Sequence, residues 1–377
     1  MDVYFDNAAT TVVSEEVSAE MQRVMREEYG NPSSAHYMGR RAADELEKAR
    51  GSVAAALGAG PDEVFFTSGG TEADNWAILG AAEIFKHRRG HIITSAVEHD
   101  AVIEPVKKLK AAGWEITCLL PDSSGRIPAE AFAAALRDDT VFASVMLVNN
   151  ETGAVNPVNE YAKEVQRRRL PVVIHTDAVQ GFCKTPINAK RLGASLISVS
   201  AHKIHGPKGV GALYIKKGIK LPRMIFGGNQ ENGKRAGTEA LPAIAGFGEA
   251  ARTGLDILEK SAAGAAALRE YIVKRLAEEL PETVFIGSGD SPYLLNLSLP
   301  GYKSEVILNF LESEGICAAK GAACKKGARS HVLEAMRLSN RVIDGAIRIS
   351  FSRYNTMVEA DYFVNTLKKA AYRLIRV

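Results

Sequence analysis

Three residue groupings in this chain have the types and spacing to do chemistry. The first is ISVSAHKIHGPKGVGALYI, residues 197–215, where Lys203 follows a strand end and lies between His202 and His205, ahead of Gly206, Pro207, Gly209 and Gly211. Partial burial beside cationic or polar neighbours lowers a lysine pKa and frees the amine as a nucleophile, which makes Lys203 a Schiff-base candidate. The HKIH spacing also suits a metal pair, but no third ligand of the right type lies nearby, so no metal is expected. The second grouping is VVIHTDAVQG, residues 172–181, with Asp177 and Gln180 just past an apolar run. A carboxylate there either meets a cation, from the protein or from a ligand, or caps the next turn. The third is FFTSGGTEADN, residues 65–75, a strand passing through a tight glycine turn into a helix. Thr71 is expected at the N-cap with Asp74 three residues on, as in a capping box. Backbone N–H groups of Gly69, Gly70 and Thr71, with the Thr71 hydroxyl, would form an anion cup, although an ordinary capped turn has the same signature. No GxxxxGK[ST] is present, which excludes a nucleotide P-loop.

The elements that must hold these groups are strand-like runs at 63–67, 91–95, 115–119, 142–148, 172–175, 196–199 and 211–215, alternating with helical stretches such as 74–86 and 130–136. That alternation predicts an α/β fold with a mostly parallel sheet covered on both faces. Such sheets bind ligands beyond the carboxyl ends of their strands, where Asp177 and Lys203 fall. Past residue 254 the pattern changes to a long helical stretch over 255–280, strands at 293–299 and 346–351, and helices near 304–314 and from 358, which reads as a smaller α+β domain. The length of 377 residues accommodates both. With 47 Lys+Arg against 44 Asp+Glu, the net charge of +3 is too small to argue for nucleic acid. No run of about 18 apolar residues could span a bilayer. The N-terminal MDVYFDNAAT lacks signal-peptide features, so a cytoplasmic protein with reduced cysteines is expected.

A phosphate cup, an aspartate for a pyridinium nitrogen and an imine-forming lysine are what a pyridoxal phosphate enzyme must supply. At this point the chain resembles the NifS/IscS-like cysteine desulfurases, class V members of the fold-type I pyridoxal phosphate enzymes. The resemblance runs along nearly the whole chain. Its motifs are YFDNAATT at 4–11, YGNPSSAH at 29–36, TSGGTEADN at 67–75, EHDAV at 98–102, NNETG at 149–153, HTDAVQ at 175–180, SAHKIHGPKG at 200–209, GGNQENGKRAGTEA at 227–240, GAAC at 321–324, SHVLEAM at 330–336 and IRISFSRYNT at 347–356.

This resemblance implies that the cofactor is a Schiff base on Lys203, which later moves the substrate Cα proton. It implies that Asp177 bonds the pyridine nitrogen, Gln180 the phenolic oxygen, and that His99 stacks on the ring. Gly70, Thr71, Ser200 and His202 would hold the phosphate, with Thr238 reaching in from a second subunit of a homodimer. Asn150 and Arg348, with Asn31, would hold the substrate carboxylate, for which the planar arginine fork is suited. It further implies a seven-stranded large domain over 15–254, and a small domain built from 1–14 and 255–377 that carries Cys324 and Arg348.

Cys324, in AAKGAACKKGAR, is the residue that would attack the sulfur of bound L-cysteine, keep it as a persulfide, release L-alanine and pass the sulfur to an acceptor protein of an iron–sulfur or tRNA-thiolation pathway. Cys118, Cys183 and Cys317 read as small core cysteines. The chain departs from the family where Lys320, Lys325 and Lys326 replace a serine-rich run, where only five residues join Cys324 to SHVL, and after Glu239. Three cations near one thiol would raise its thiolate fraction and could dock an acidic acceptor. Two other readings are a class V enzyme acting on another amino acid, such as a selenocysteine lyase or an aminotransferase, with Cys324 not catalytic, and a partner-binding scaffold.

Overall fold

The computed structural model describes residues 1–87, 90–321 and 329–376. Runs rich in β-branched and aromatic residues form twelve described strands: β1 (Val3–Tyr4), β2 (Val64–Thr67), β3 (His91–Ser95), β4 (Glu115–Leu119), β5 (Thr140–Ser144), β6 (Val173–Asp177), β7 (Leu196–Ser200), β8 (Gly211–Ile215), β9 (Val284–Ile286), β10 (Leu294–Ser298), β11 (Ile316–Cys317) and β12 (Ala346–Ser350). Seven of them make one sheet in the order β2-β8-β7-β6-β5-β3-β4. It is parallel except at β8, which runs antiparallel to β2 and β7. The short return from Ser200 to Gly211 leaves no room for the crossover that a parallel neighbour requires.

All of these strands except β4 are buried along their length, as befits a sheet covered on both faces. One face packs a core containing Phe66, Phe182 and Phe247, the other a core around Phe65, Trp76 and Phe142. β4 is one of the two edge strands, the other being the buried β2, and this corrects the reading of Cys118, whose thiol is exposed. Cys317, on the short strand β11, is exposed too, and only Cys183 is half-buried. The helical stretch expected over 255–280 is two helices, Leu241–Asp256 and Leu258–Glu279, broken at Ile257. The strand expected over 142–148 ends at Ser144, beyond which the chain stays buried but leaves the ladder.

A second core gathers the antiparallel sheet β12-β10-β9, the helices Leu258–Glu279, Ser304–Ser313 and Met357–Arg373, and the N-terminal residues Val3 and Phe5. Phe5 meets Phe351 and Phe363 edge-on at 5.4 and 5.8 Å. Buried Asn7 then fastens the chain by donating to the carbonyls of Tyr4 and Ser350 at 3.0 and 2.9 Å. From there residues 8–11 cross to the carboxyl-end rim of the large sheet.

One buried ion pair ties three segments together. Arg50, on helix Tyr37–Leu57, bonds both Glu231 oxygens at 2.7 and 2.9 Å and the Val64 carbonyl at 2.9 Å, while Glu231 also accepts the Phe66 N–H. Removing one partner strands the other charge in a dry site. Arg50→Met is expected to lower unfolding free energy by about 3–5 kcal/mol in denaturant titration. Lys217→Met, at the exposed pair with Asp62, should cost less than about 1 kcal/mol.

Candidate active site

The glycine turn after β2 opens the site. Gly69 has φ 155° and ψ −178°, a conformation closed to other residues, and Gly211 lies so close that a side chain there would sit 2.8 Å from the Gly69 Cα. Helix Gly70–Ile84 therefore starts one residue before Thr71, and the expected capping box does not form. Glu72 turns back instead, accepting the Ser68 N–H at 2.9 Å, and Asp74 points inward with 1% exposure. The leading N–H groups of the helix remain available to an anion, as its geometry dictates. A side chain at Gly70 would strike Val179 at 2.8 Å, so this face of the cup must be bare backbone.

Lys203 ends a single 3-10 turn, Ala201–Lys203, directly after β7. Its Nζ donates to the carbonyls of Ala8 and Ala9 at 2.6 and 2.7 Å. The turn is clamped from the N-terminal segment: Thr11 donates its N–H and hydroxyl to the His202 carbonyl at 2.9 and 3.0 Å, and its hydroxyl accepts the His205 N–H at 2.8 Å. His202 is held neutral, with its pKa pushed down to about 4 by burial and then by the Lys203, Lys208 and Lys184 charges.

Next to β7, β6 ends at Asp177, whose Oδ1 accepts the Val179 N–H at 2.9 Å. Burial, and then the Asp74 charge, push its pKa up to about 7. Asp74 is raised to about 7 and Glu98 to about 8, both chiefly by burial. His175 lies 3.5 Å from Asp74, but burial lowers its pKa to about 4, so it brings no charge.

A cavity of about 720 Å³ connects these groups. Gly70, Thr71, Ser200, His202 and Lys203 line it, together with Asp177, Gln180, His99, Asn150 and Arg348. His99 caps helix Asp100–Ala111 by accepting the Ala101 N–H at Nδ1, which leaves its proton on Nε2 and its ring exposed to the cavity. Asn149 builds the turn that presents Asn150, accepting from the N–H groups of Glu151 and Thr152. Buried Arg348, on β12, donates to the Asn150 carbonyl and to Asp6 at 2.9 and 2.8 Å, and its Nε has no partner.

Asn31 and Thr238 do not line this cavity. The Asn31 side chain is spent on its own loop, accepting the Ser33 N–H at 2.9 Å, and Thr238 is exposed. Cys324 lies outside the described residues, but Gly321 and Arg329 on either side of that stretch line the cavity. Lys320 pairs with Glu305 at 3.4 Å. Sequence reasoning missed Glu98, Ala8 and Ala9 as cavity-lining residues, and the inward turn of Asp74. The motif YFDNAATT signalled the N-terminal segment, but two alanine carbonyls carry no side-chain signature.

The buried groups fit pyridoxal phosphate. Ser200 Oγ is buried without a partner beside the bare helix start, a donor waiting for a phosphate oxygen. A pyridinium nitrogen would bring a positive charge to Asp177, whose own charge burial disfavours, and Arg348 Nε, unpartnered among the described residues, suits a carboxylate. A lysine, a neighbouring strand-end aspartate and an anion cup on one rim of a mostly parallel sheet define the fold-type I pyridoxal phosphate class.

The comparisons narrow this further. Residues 3–363 match the family Aminotransferase class-V, and the chain belongs to that family. It is 40% identical to "Cysteine desulfurase IscS" of Dictyoglomus turgidum, over 99% of this chain and 95% of that protein. Among solved structures, a "NifS-like protein" superposes with TM-score 0.94 at 38% identity, covering 99% of this chain and all of that one. SspA, solved in complex with cysteine, has TM-score 0.82 at 32% identity, covering 94% of this chain and all of the other.

Asp177 makes a pH-dependent prediction for the cofactor-free protein. Below about pH 4 the acid is protonated folded or unfolded, and as pH rises toward 7 its burial becomes destabilising, because the unfolded chain ionises first. The buried histidines His175, His202 and His205 act in the opposite sense over part of that range, so the comparison with Asp177→Asn is what isolates the aspartate. Urea titration should find the variant equal to wild type near pH 4 and more stable by about 1–3 kcal/mol at pH 8. A difference independent of pH would contradict the assignment.

Proposed function

We propose that this protein is a pyridoxal phosphate-dependent cysteine desulfurase, converting L-cysteine to L-alanine and retaining the sulfur as a persulfide on Cys324. The observation that carries this is the convergence of Lys203, Asp177 and Arg348 on one cavity, in a chain 40% identical along its length to a cysteine desulfurase. When bound, the cofactor supplies an electron sink for charge developing at the substrate Cα.

The chain's residues do the rest. Gly70, Thr71, Ser200 and His202 hold the phosphate, Asp177 meets the ring nitrogen, Gln180 the phenolic oxygen, and the exposed His99 ring covers one face. Arg348 and the Asn150 side chain orient the substrate carboxylate. Lys203 Nζ takes and returns the proton at Cα. The Cys324 thiolate attacks the substrate sulfur, so that one C–S bond breaks, one S–S bond forms and Cβ gains a proton. Each cysteine consumed thus yields one alanine and one persulfide.

In this reading the exposed Thr238 serves the phosphate cup of a second copy in a homodimer, and Asn31 serves the substrate side from outside its own chain's cavity. The large domain spans 15–254, and 1–14 with 255–377 form the small one, a division supported by the separate core around β10 and β12. Sulfur passes to an acceptor protein of an iron–sulfur or tRNA-thiolation pathway, with Lys325 and Lys326 flanking the donor thiol. The setting is the reducing cytoplasm, consistent with free thiols at Cys118, Cys183 and Cys317. No described helix is long and apolar enough to cross a membrane.

Incubation with L-cysteine and a reductant should release alanine and sulfide, and Cys324→Ser should abolish the sulfide. No sulfide from wild type, with turnover of another amino acid, would overturn the reading. Arg348→Lys should raise KM for cysteine roughly 10- to 100-fold in steady-state kinetics, the worth of about 1.5–3 kcal/mol of charge-assisted bonding.

A further inference from the structure

Behind Gln180 stands a lysine that the catalytic scheme does not use. Lys184 follows the turn after β6, its N–H bonded to the Gly181 carbonyl at 3.0 Å. Its Nζ lies 3.4 Å from Gln180 Oε1 and 6.0 Å from the centre of the Tyr293 ring. On the far side, Gln180 Nε2 donates at 2.8 Å to the Ala8 carbonyl, which also accepts from Lys203. Lys184 and Lys203 both border a gap of about 30 Å³, room for about one water, and among the described residues no Asp or Glu lines it.

We propose that Lys184 is a positioning residue for the cofactor: it fixes the Gln180 amide with Nε2 toward the cofactor's phenolic oxygen and places a second cation behind Lys203. This rests on the functional reading above.

The two ends of a glutamine amide have the same shape, so only their partners decide which faces inward. While protonated, Lys184 donates and cannot accept, so in that state it can meet only Oε1, which turns Nε2 toward Ala8 and the cavity. The Ala8 carbonyl is a weaker determinant because it is shared with Lys203, whose hydrogen bonds change once its nitrogen forms an imine. Lys184 has no such competing duty.

Arg353 borders the same gap, and the cations Lys203 and Arg348 act on Lys184 in one sense. Lys203 and Arg348 lie close enough to oppose its charge, and with burial as the larger cause they bring its pKa down to about 7. His202 and His205 feel its field in turn, while Cys183 beside it is kept a neutral thiol by burial, with a pKa pushed up to about 12. A cation behind Lys203 disfavours a protonated imine, and an amide N–H on the phenolic oxygen stabilises its anionic form. Both effects lower the pH at which the Schiff base loses its proton.

The test is a pH titration of the Schiff-base absorbance of purified holoenzyme, without substrate, for wild type, Lys184→Met, Lys184→Arg, Gln180→Ala and Lys184→Met/Gln180→Ala. Lys184→Met should move the midpoint up by about one pH unit, tenfold in proton affinity. Lys184→Arg should restore most of the wild-type value. In the Gln180→Ala background the Lys184→Met shift should be clearly smaller. Lys184→Gln, close in length and uncharged, serves the same comparison if the Met variant does not fold. An unchanged midpoint in Lys184→Met, or an undiminished shift without Gln180, overturns the proposal even when wild type shows the Schiff-base band. A wild type that binds the cofactor without such a band overturns the functional reading, and this inference with it.

Discussion

Two buried carboxyl groups, Asp74 and Asp177, lie together where the large sheet ends, and burial pushes the pKa of each up to about 7. In most interiors that arrangement would be selected away, because each charge is costly to desolvate and each raises the cost of the other. Here the sheet concentrates the problem. β6 delivers Asp177, helix Gly70–Ile84 turns Asp74 in beneath it, and His175 stays neutral. On the proposed reading a cationic ring nitrogen would relieve that cost, and the same rim offers a helix start and a lysine at the ends of adjacent strands.

The second constraint is the N-terminal segment. Phe5 is buried in the core around β10 and β12, Asn7 is bonded to the Ser350 carbonyl, and the next residues lie against the Lys203 turn. Asp6 meets Arg348 from the same segment. One short stretch therefore links the strand that carries Arg348 to the turn that carries Lys203.

Much of the fold was legible because a buried parallel sheet leaves uninterrupted apolar runs. The seven strands fall within a few residues of those runs, and Asp177 and Lys203 follow them as the α/β rule requires. What was not legible depended on tertiary placement. Asp74 reads as a capping residue by spacing, but Gly69 shifts the helix start and buries it. Cys118 reads as a core residue within an apolar run, but strand order puts β4 at the edge. Ala8 and Ala9 act through carbonyls, which every residue has. Asn31 and Thr238 were identified by motif alone, and one chain does not bring them to the cavity.

On the proposed reading, the buried carboxylate and Lys203 are built around a cofactor held on that lysine. The most direct measurement is borohydride reduction of the purified yellow protein, followed by proteolysis and mass spectrometry of the modified peptide. The account predicts a single reduced pyridoxyl adduct, on Lys203. An adduct on Lys184, or a cofactor that dissociates intact after reduction, would contradict it.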